Sequence, residues 1–223
     1  GEDGIAINGL IWMGDPDFMK DQIEEKLAQG YKCIKLKIGA IDFDQELKLL
    51  SSLRKRFDAD KIELRVDANG AFEVNDALEK LVELSQFDLH SIEQPIRQGQ
   101  WKEMSDLCRK SPLDIALDEE LIGVEKKQRS NLLDVIEPPY IILKPSLLGG
   151  FEESQHWIDL CEERNIRWWV TSALESNIGL EAIAEWTYTL NNKLPQGLGT
   201  GQLYTNNVKS PLRIERGSLY YRK

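Results

Sequence analysis

Short apolar runs along this chain end, one after another, in a polar residue. Lys37, Asp67, Glu93, Asp118, Lys144 and Ser172 each close such a run, at intervals of 30, 26, 25, 26 and 28 residues. A strand with its crossover helix needs about 30 residues, so the interval is that of one βα unit. The strands read as residues 5–12, 33–38, 62–66, 91–93, 115–117, 140–143 and 167–171, with a short one near 197–199. Between them, apolar residues recur at helical spacing over 17–29, 43–57, 75–85 (with Asn75 as N-cap), 101–109, 151–164 and 177–190. Strand alternating with helix predicts a parallel sheet. Eight strands at one period predict an α/β fold closed as a TIM-like barrel. Residues 202–223 carry no amphipathic helix, so the expected architecture is (β/α)7β. No G-x-G-x-x-G follows the first strand, which argues against a doubly wound dinucleotide-binding sheet. No linker-like stretch divides the sequence, and residues 1–223 are expected to form one domain.

Composition narrows the partners. Asp plus Glu number 38 against 28 Lys plus Arg, a net charge of −10. That field has the wrong sign for nucleic acid, and the KKQR run at 126–129 reads as a solvated helix face. No run of about 18 apolar residues offers a membrane span. Cys33, Cys108 and Cys161 are odd in number and far apart, which fits a reducing, cytoplasmic setting better than a disulfide framework. With only His90 and His156, a His-based zinc site or a Ser-His-Asp triad is hard to assemble, and His90 is expected to be structural. Trp168 and Trp169 are expected to pack the seventh strand.

The strands carry charges where a barrel has none to spare. A barrel strand buries one face against helices and the other inside the barrel. In the run 33–38, Ile34, Leu36 and Ile38 share one face, so Lys35 and Lys37 point inward. Asp67 lies on the same face as Arg65, opposite Leu64 and Val66. Glu93 opposes Ile92, Asp118 opposes Ile115 and Leu117, and Lys144 shares its face with Ile142. A solvated edge strand would explain the lysines, and helix capping would explain any one acid. Three consecutive units with the same anomaly weigh against both. Acids at three successive strand ends converge at the C-terminal mouth, where such barrels do their chemistry. They repel one another unless a hard cation such as Mg²⁺ or Mn²⁺ lies among them. Lysines flanking such a centre suit proton abstraction beside a carboxylate, with the enediolate stabilised by positive charge. A lysine beside a cation and a second lysine is expected to have a lowered pKa.

These residues resemble the barrel domain of the enolase superfamily, muconate-lactonizing subgroup. The motifs are K-x-K (Lys35, Lys37), V-D-A-N at 66–69, I-E-Q-P at 92–95, L-D-E at 117–119 and L-K-P-S-L-L-G-G at 143–150, in family order. Within the subgroup the pattern is similar to the o-succinylbenzoate synthases: Arg65 two before Asp67, K-P-S after the sixth strand, and S-A-L-E-S at 172–176. The resemblance implies a Mg²⁺ bound by Asp67, Glu93 and Asp118, with Glu119 near it and Glu120 either beside the site or solvated. It implies Lys37 as the acid/base of a syn dehydration, Lys144 as the opposing cation, and Lys35 as support for Lys37 and contact for the substrate carboxylate. Ser172, Arg65 and Asn69 are implied on the substrate side. The implied reaction turns 2-succinyl-6-hydroxy-2,4-cyclohexadiene-1-carboxylate into o-succinylbenzoate, a carbon–oxygen lyase step of menaquinone synthesis. The implied partner is a small-molecule carboxylate substrate, and no organic cofactor is called for.

Family members carry an N-terminal α+β capping domain over the barrel mouth, and no segment here matches it. The cap is therefore expected to be missing from this chain and to pack on the mouth, leaving these residues alone weak in substrate binding. Three other readings stand beside the lyase. An acylamino-acid racemase or dipeptide epimerase would use the same lysines. A non-catalytic binding barrel would have lost a ligand or lysine, and none is lost. A Schiff-base aldolase built on Lys144 leaves the acids unexplained.

Overall fold

The computed structural model describes residues 3–202 and 204–222; Gly1, Glu2, Leu203 and Lys223, all inside the expected 1–223 domain, lie outside the described residues. The chain opens with β1 (Ile5–Ala6), β2 (Gly9–Ile11), α1 (Pro16–Ala28), β3 (Cys33–Lys37), α2 (Phe43–Arg56), β4 (Glu63–Asp67) and α3 (Val74–Ser85). It continues with β5 (Ser91–Glu93), α4 (Trp101–Lys110), β6 (Ile115–Leu117), α5 (Lys126–Ile136), β7 (Tyr140–Leu143), α6 (Pro145–Leu148) and α7 (Phe151–Glu162). It ends with β8 (Arg167–Val170), α8 (Asn177–Thr189), β9 (Leu212–Glu215) and β10 (Ser218–Tyr221). Helix starts follow their capping chemistry. Asp15 accepts from the Phe18 N–H ahead of Pro16, and Asp42 does the same for Gln45.

Strands β2 to β8 form one parallel sheet in sequence order, with the helices on its outer face. The period-2 alternation sends Ile34, Leu36, Leu64, Val66, Ile92, Ile115, Leu117, Ile141 and Leu143 outward. There they meet Leu50, Leu81, Met104, Leu133, Trp157 and Ile183 of the helices in one continuous core. Each such side chain contributes about 1.5–3 kcal/mol of burial. On the inner face, Ala116, Tyr140, Ile142 and Trp169 form a second, smaller cluster. The sheet curls until both edges reach the segment 196–197. Gln196 bonds the first edge through Ala6 O (2.8 Å) and Asn8 N (3.0 Å), and Gly197 bonds the second through Val170 O (2.8 Å) and Ser172 N (3.0 Å). A Cβ on Gly197 would stand 2.4 Å from Thr171 Oγ1, so this approach requires glycine.

The structure corrects several expectations. The first strand is not continuous over 5–12: Ile5 and Ala6 pair antiparallel with β10, and only Gly9–Ile11 enters the parallel sheet. The strand near 197–199 is reduced to single bridges at Gln196 and Gly197. The last residues, read as lacking an amphipathic helix, form instead the β9–β10 hairpin around Arg216 and Gly217. Helix α3 is entered from Glu73, which places Asn75 inside the first turn. The KKQR face is not wholly solvated, because Arg129 is buried with its guanidinium on Glu153 and over Trp157. Among the described residues no helix is long and apolar enough to cross a membrane.

Candidate active site

Parallel register sets the inner side chains in levels. Lys35 lies opposite Arg65, Lys37 opposite Asp67, and Asp67 opposite Glu93. Lys37, Asp67 and Glu93 therefore stand at one height at the C-terminal strand ends, and Asp118 and Lys144 follow directly after β6 and β7. Asp67, Glu93 and Asp118 are almost fully buried. Lys35 Nζ donates to Asp67 Oδ2 (3.1 Å) and Glu93 Oε2 (2.7 Å). Lys37 Nζ donates to Asp67 Oδ2 (2.9 Å) and Asn69 Oδ1 (2.7 Å). On the far side Lys144 pairs with Asp118 and lies 4.0 Å from Glu93 Oε1. Asn69 also donates to Glu119 Oε1 (2.9 Å), and its backbone N–H reaches Asp67 Oδ1 (3.1 Å).

The electrostatics follow from three acids and three lysines sharing a dry site. Burial pushes Glu93 well above the usual carboxylate range, and the charges of Asp67 and Asp118 add to the push. Asp67 goes the other way: burial would raise it, but the ammoniums of Lys35 and Lys37 hold it low. Burial alone would lower Lys35 and Lys144. The acids override it, Asp67 and Glu93 lifting Lys35 and Asp118 and Glu93 lifting Lys144 above the ordinary lysine value. The lowering expected from the sequence applies to a lysine beside a cation; with the acids as nearest neighbours the direction for these two is upward, because each ammonium is bonded to a carboxylate.

Among the described residues no three acid, His or Cys side chains close on one point to chelate an ion; the lysine ammoniums stand between the acids. The donor chemistry nonetheless fits a hard divalent cation. All three candidate ligands are carboxylates, and Glu93 Oε1 is buried without a hydrogen-bond partner. Its charge conflict with Asp67 and Asp118 is one that a cation relieves.

A cavity of about 300 Å³ lies over this cluster, floored by Lys35, Lys37 and Lys144. Leu10, Trp12, Leu147 and Leu174 give it an apolar side; Asn8, Thr171, Ser172 and Thr200 give it a polar one. Ser172 lines it as expected, with its hydroxyl 2.7 Å from Thr200 Oγ1.

Arg65 does not. It is buried level with Lys35 and one level below Lys37, bonded to Glu63 Oε1 (2.7 Å) and Pro195 O (3.0 Å) and lying 4.2 Å over the Trp169 ring. The expectation of a substrate contact there is corrected: alternation gave its face, not its height. Trp169 and His90 belong to this lower layer, with the His90 ring 4.9 Å from Tyr140.

Sequence reasoning missed Thr171, whose buried hydroxyl lacks a partner beside the cavity, and Asn8, Trp12 and Thr200 around it. Thr171 was readable as the inward neighbour of Trp169; Thr200 gave no signal, because it is brought in by the irregular segment after Gly197. Glu120 is not solvated: it accepts from Gln94 Nε2 (3.1 Å) and Gly99 N (2.8 Å).

Comparison with known proteins agrees with this geometry. The family model for enolase C-terminal domain-like proteins matches residues 18–222. The o-succinylbenzoate synthase of Desulfotalea psychrophila is 62% identical over 98% of this chain, which spans 60% of that protein. The crystal structure of MenC from the same organism superposes with a TM-score of 0.92 at 61% identity, covering 98% of this chain and 61% of that one. An N-succinylamino acid racemase of an Amycolatopsis species is 28% identical over 89% of this chain and 52% of its own length. The chain thus spans about three fifths or less of these relatives and carries the strand-end acids and lysines in one cluster, and it belongs to the enolase C-terminal domain-like family.

Proposed function

We propose that this chain is the catalytic barrel of a divalent-cation-dependent o-succinylbenzoate synthase, a carbon–oxygen lyase of menaquinone synthesis. The curled sheet, bridged at both edges by 196–197, is read as its (β/α)7β barrel. The observation that carries the proposal is the placement of Lys37 and Lys144 across one cavity, with buried Asp67, Glu93 and Asp118 between them. The relative at 62% identity supports this substrate class.

The cluster balances three acids against three lysines, so a divalent cation leaves it positive and suited to a carboxylate substrate. Asp67, Glu93 and Asp118 would hold Mg²⁺ or Mn²⁺, which would supply positive charge beside the substrate carboxylate. Lys37, at the cavity edge and aimed by Asn69, removes the proton beside that carboxylate. The same ammonium then protonates the hydroxyl leaving from the same face, a syn elimination. Lys144 stays an ammonium opposite, where its acids hold its pKa high, and Lys35 contacts the carboxylate while bracing Asp67. Leu10, Trp12, Leu147 and Leu174 cover the ring and Ser172 orients its polar groups, while Asn69, bonded to Lys37 and Glu119 and outside the cavity lining, acts through Lys37. Aromatisation drives the step, so the site mainly has to stabilise the enediolate.

A racemase would use Lys144 to give and take protons; the 62% identity to an o-succinylbenzoate synthase, against 28% to an N-succinylamino acid racemase, favours the lyase. The N-terminal capping domain is proposed to pack on the mouth beside exposed Leu147 and Leu174. Free Cys33, Cys108 and Cys161 support a reducing cytoplasmic setting.

The test is product formation with Mg²⁺ from the succinyl cyclohexadiene carboxylate, in the parent, Lys37→Ala and Lys144→Ala. General acid/base loss costs about 10²–10⁴-fold, and activity surviving both changes would sink the mechanism. Racemisation with α-deuterium exchange, without o-succinylbenzoate, would select the racemase. Comparable turnover with and without the cap would refute its role.

A further inference from the structure

Gln94 follows Glu93 at the end of β5 and is completely buried. Its backbone adopts φ +38, a left-handed conformation that costs a residue with a Cβ about 1–2 kcal/mol. Glycine would avoid that cost, so compensation lies in the side chain. Its Oε1 accepts from the backbone N–H of Asp118 (3.1 Å) and of Glu120 (3.2 Å). Its Nε2 donates to Ile96 O (3.0 Å) and Glu120 Oε2 (3.1 Å). Two donors and two acceptors are all that a glutamine amide has. The backbone extends the tie: Gln94 N donates to Ala116 O (2.9 Å), and Gln94 O accepts from Gly70 N (2.7 Å) in the turn after Asp67. One residue therefore joins the ends of β4, β5 and β6, the strands that deliver Asp67, Glu93 and Asp118. Glu120, itself buried, anchors the amide through Gly99 N (2.8 Å).

We infer that Gln94, braced by Glu120, is a positioning residue that sets the mutual placement of the three carboxylates for one divalent cation. The inference rests on reading those acids as cation ligands. Gln94→Leu keeps the volume and removes all four side-chain bonds. Glu120→Leu removes the brace alone, and Glu120→Gln keeps one acceptor oxygen, enough for Gln94 or Gly99 but not both.

The experiment is calorimetric titration of the purified protein with Mg²⁺, paralleled by Mn²⁺ binding followed by electron paramagnetic resonance. Loss of a group that orients metal ligands typically weakens affinity about 10–100-fold. That range is expected for Gln94→Leu. A smaller loss of at least threefold is expected for Glu120→Leu, recovered only in part in Glu120→Gln. Should Gln94→Leu fail to fold, the Glu120 pair decides. Unchanged cation affinity in a folded Gln94→Leu, or in Glu120→Leu where only that variant folds, overturns the inference even if the melting temperature drops. A parent protein that takes up neither Mg²⁺ nor Mn²⁺ overturns the cation reading itself, and is seen before any variant is made.

Discussion

Replacing Lys35 by Met isolates the electrostatic economy of the cluster. Asp67 keeps two partners in that variant, Lys37 at 2.9 Å and the Asn69 N–H at 3.1 Å. Glu93 keeps none: its bonded oxygen, Oε2, is held by Lys35 at 2.7 Å, and Lys144 stands 4.0 Å from the other. Leaving a buried charge without its partner costs about 3–5 kcal/mol. The carboxyl has an escape, which is to bind a proton, and burial already favours it. Protonating at pH 7 a group whose ordinary value is 4.5 costs about 3 kcal/mol, and at pH 5 under about 1 kcal/mol. The sign follows from proton counting. Above pH 4.5 the folded variant holds a proton on Glu93 that the unfolded chain has lost, so its stability falls as pH rises. Urea unfolding in EDTA at pH 5, 6 and 7 measures it. Because Glu93 is already raised in the parent, the two profiles run in parallel where it is protonated in both, and the difference between parent and Lys35→Met should hold or widen as pH rises, adding at most about 3 kcal/mol by pH 7. A difference that shrinks as pH rises would refute the reasoning.

Other perturbations probe the remaining layers. Arg65→Met should cost about 2–4 kcal/mol in urea unfolding through lost bonds to Glu63 and Pro195. Its kcat and KM should stay within twofold, and a raised KM with intact stability would return Arg65 to the substrate. Burial and the nearby Arg65 hold His90 down at about 4, so it enters the fold neutral. Its share of stability is present above its ordinary value of 6.5 and is lost as pH falls toward 4. Discounted for its partial exposure, that is about 2 kcal/mol. His90→Asn should flatten the stability profile between those limits, and an unchanged profile would exclude the assignment. Gly39 follows Lys37 in the β3–α2 loop at φ +91, where a Cβ would stand 2.5 Å from Ala71 Cβ, and its N–H is held by Glu46. Gly39→Ala should therefore cost about 2–4 kcal/mol and lower kcat more than it raises KM; wild-type kinetics and stability would show that this loop does not fix Lys37.

What could be read from the sequence was whatever depends on two-residue alternation. A buried strand leaves a charge only two directions, outward into a hydrocarbon layer or inward. Lys35, Lys37, Asp67, Glu93, Asp118 and Lys144 could therefore be grouped without coordinates. Alternation is silent about height. Arg65 and Asp67 share a face but differ by two residues, about 6.6 Å along a strand. That step separates the level of Lys37 and Asp67 from the level of Lys35 and Arg65, and of that lower pair Lys35 lines the cavity while Arg65 lies over Trp169. Pairings between distant segments were equally hidden. Ile5 and Ala6 look like the start of a barrel strand, and only the register with Leu219 and Ser218 draws them out of the sheet. Gln94 was hidden for a third reason, since its role depends on a left-handed backbone and an amide with all its bonds filled, neither of which a residue letter encodes. These gaps have a common cause. Sign of charge and direction of a side chain are local, whereas height, closure and bracing arise where one strand end meets the next. In this fold the acids and lysines gather at those meetings, so a substitution that shifts one strand end against its neighbour should alter the site without touching any residue in it.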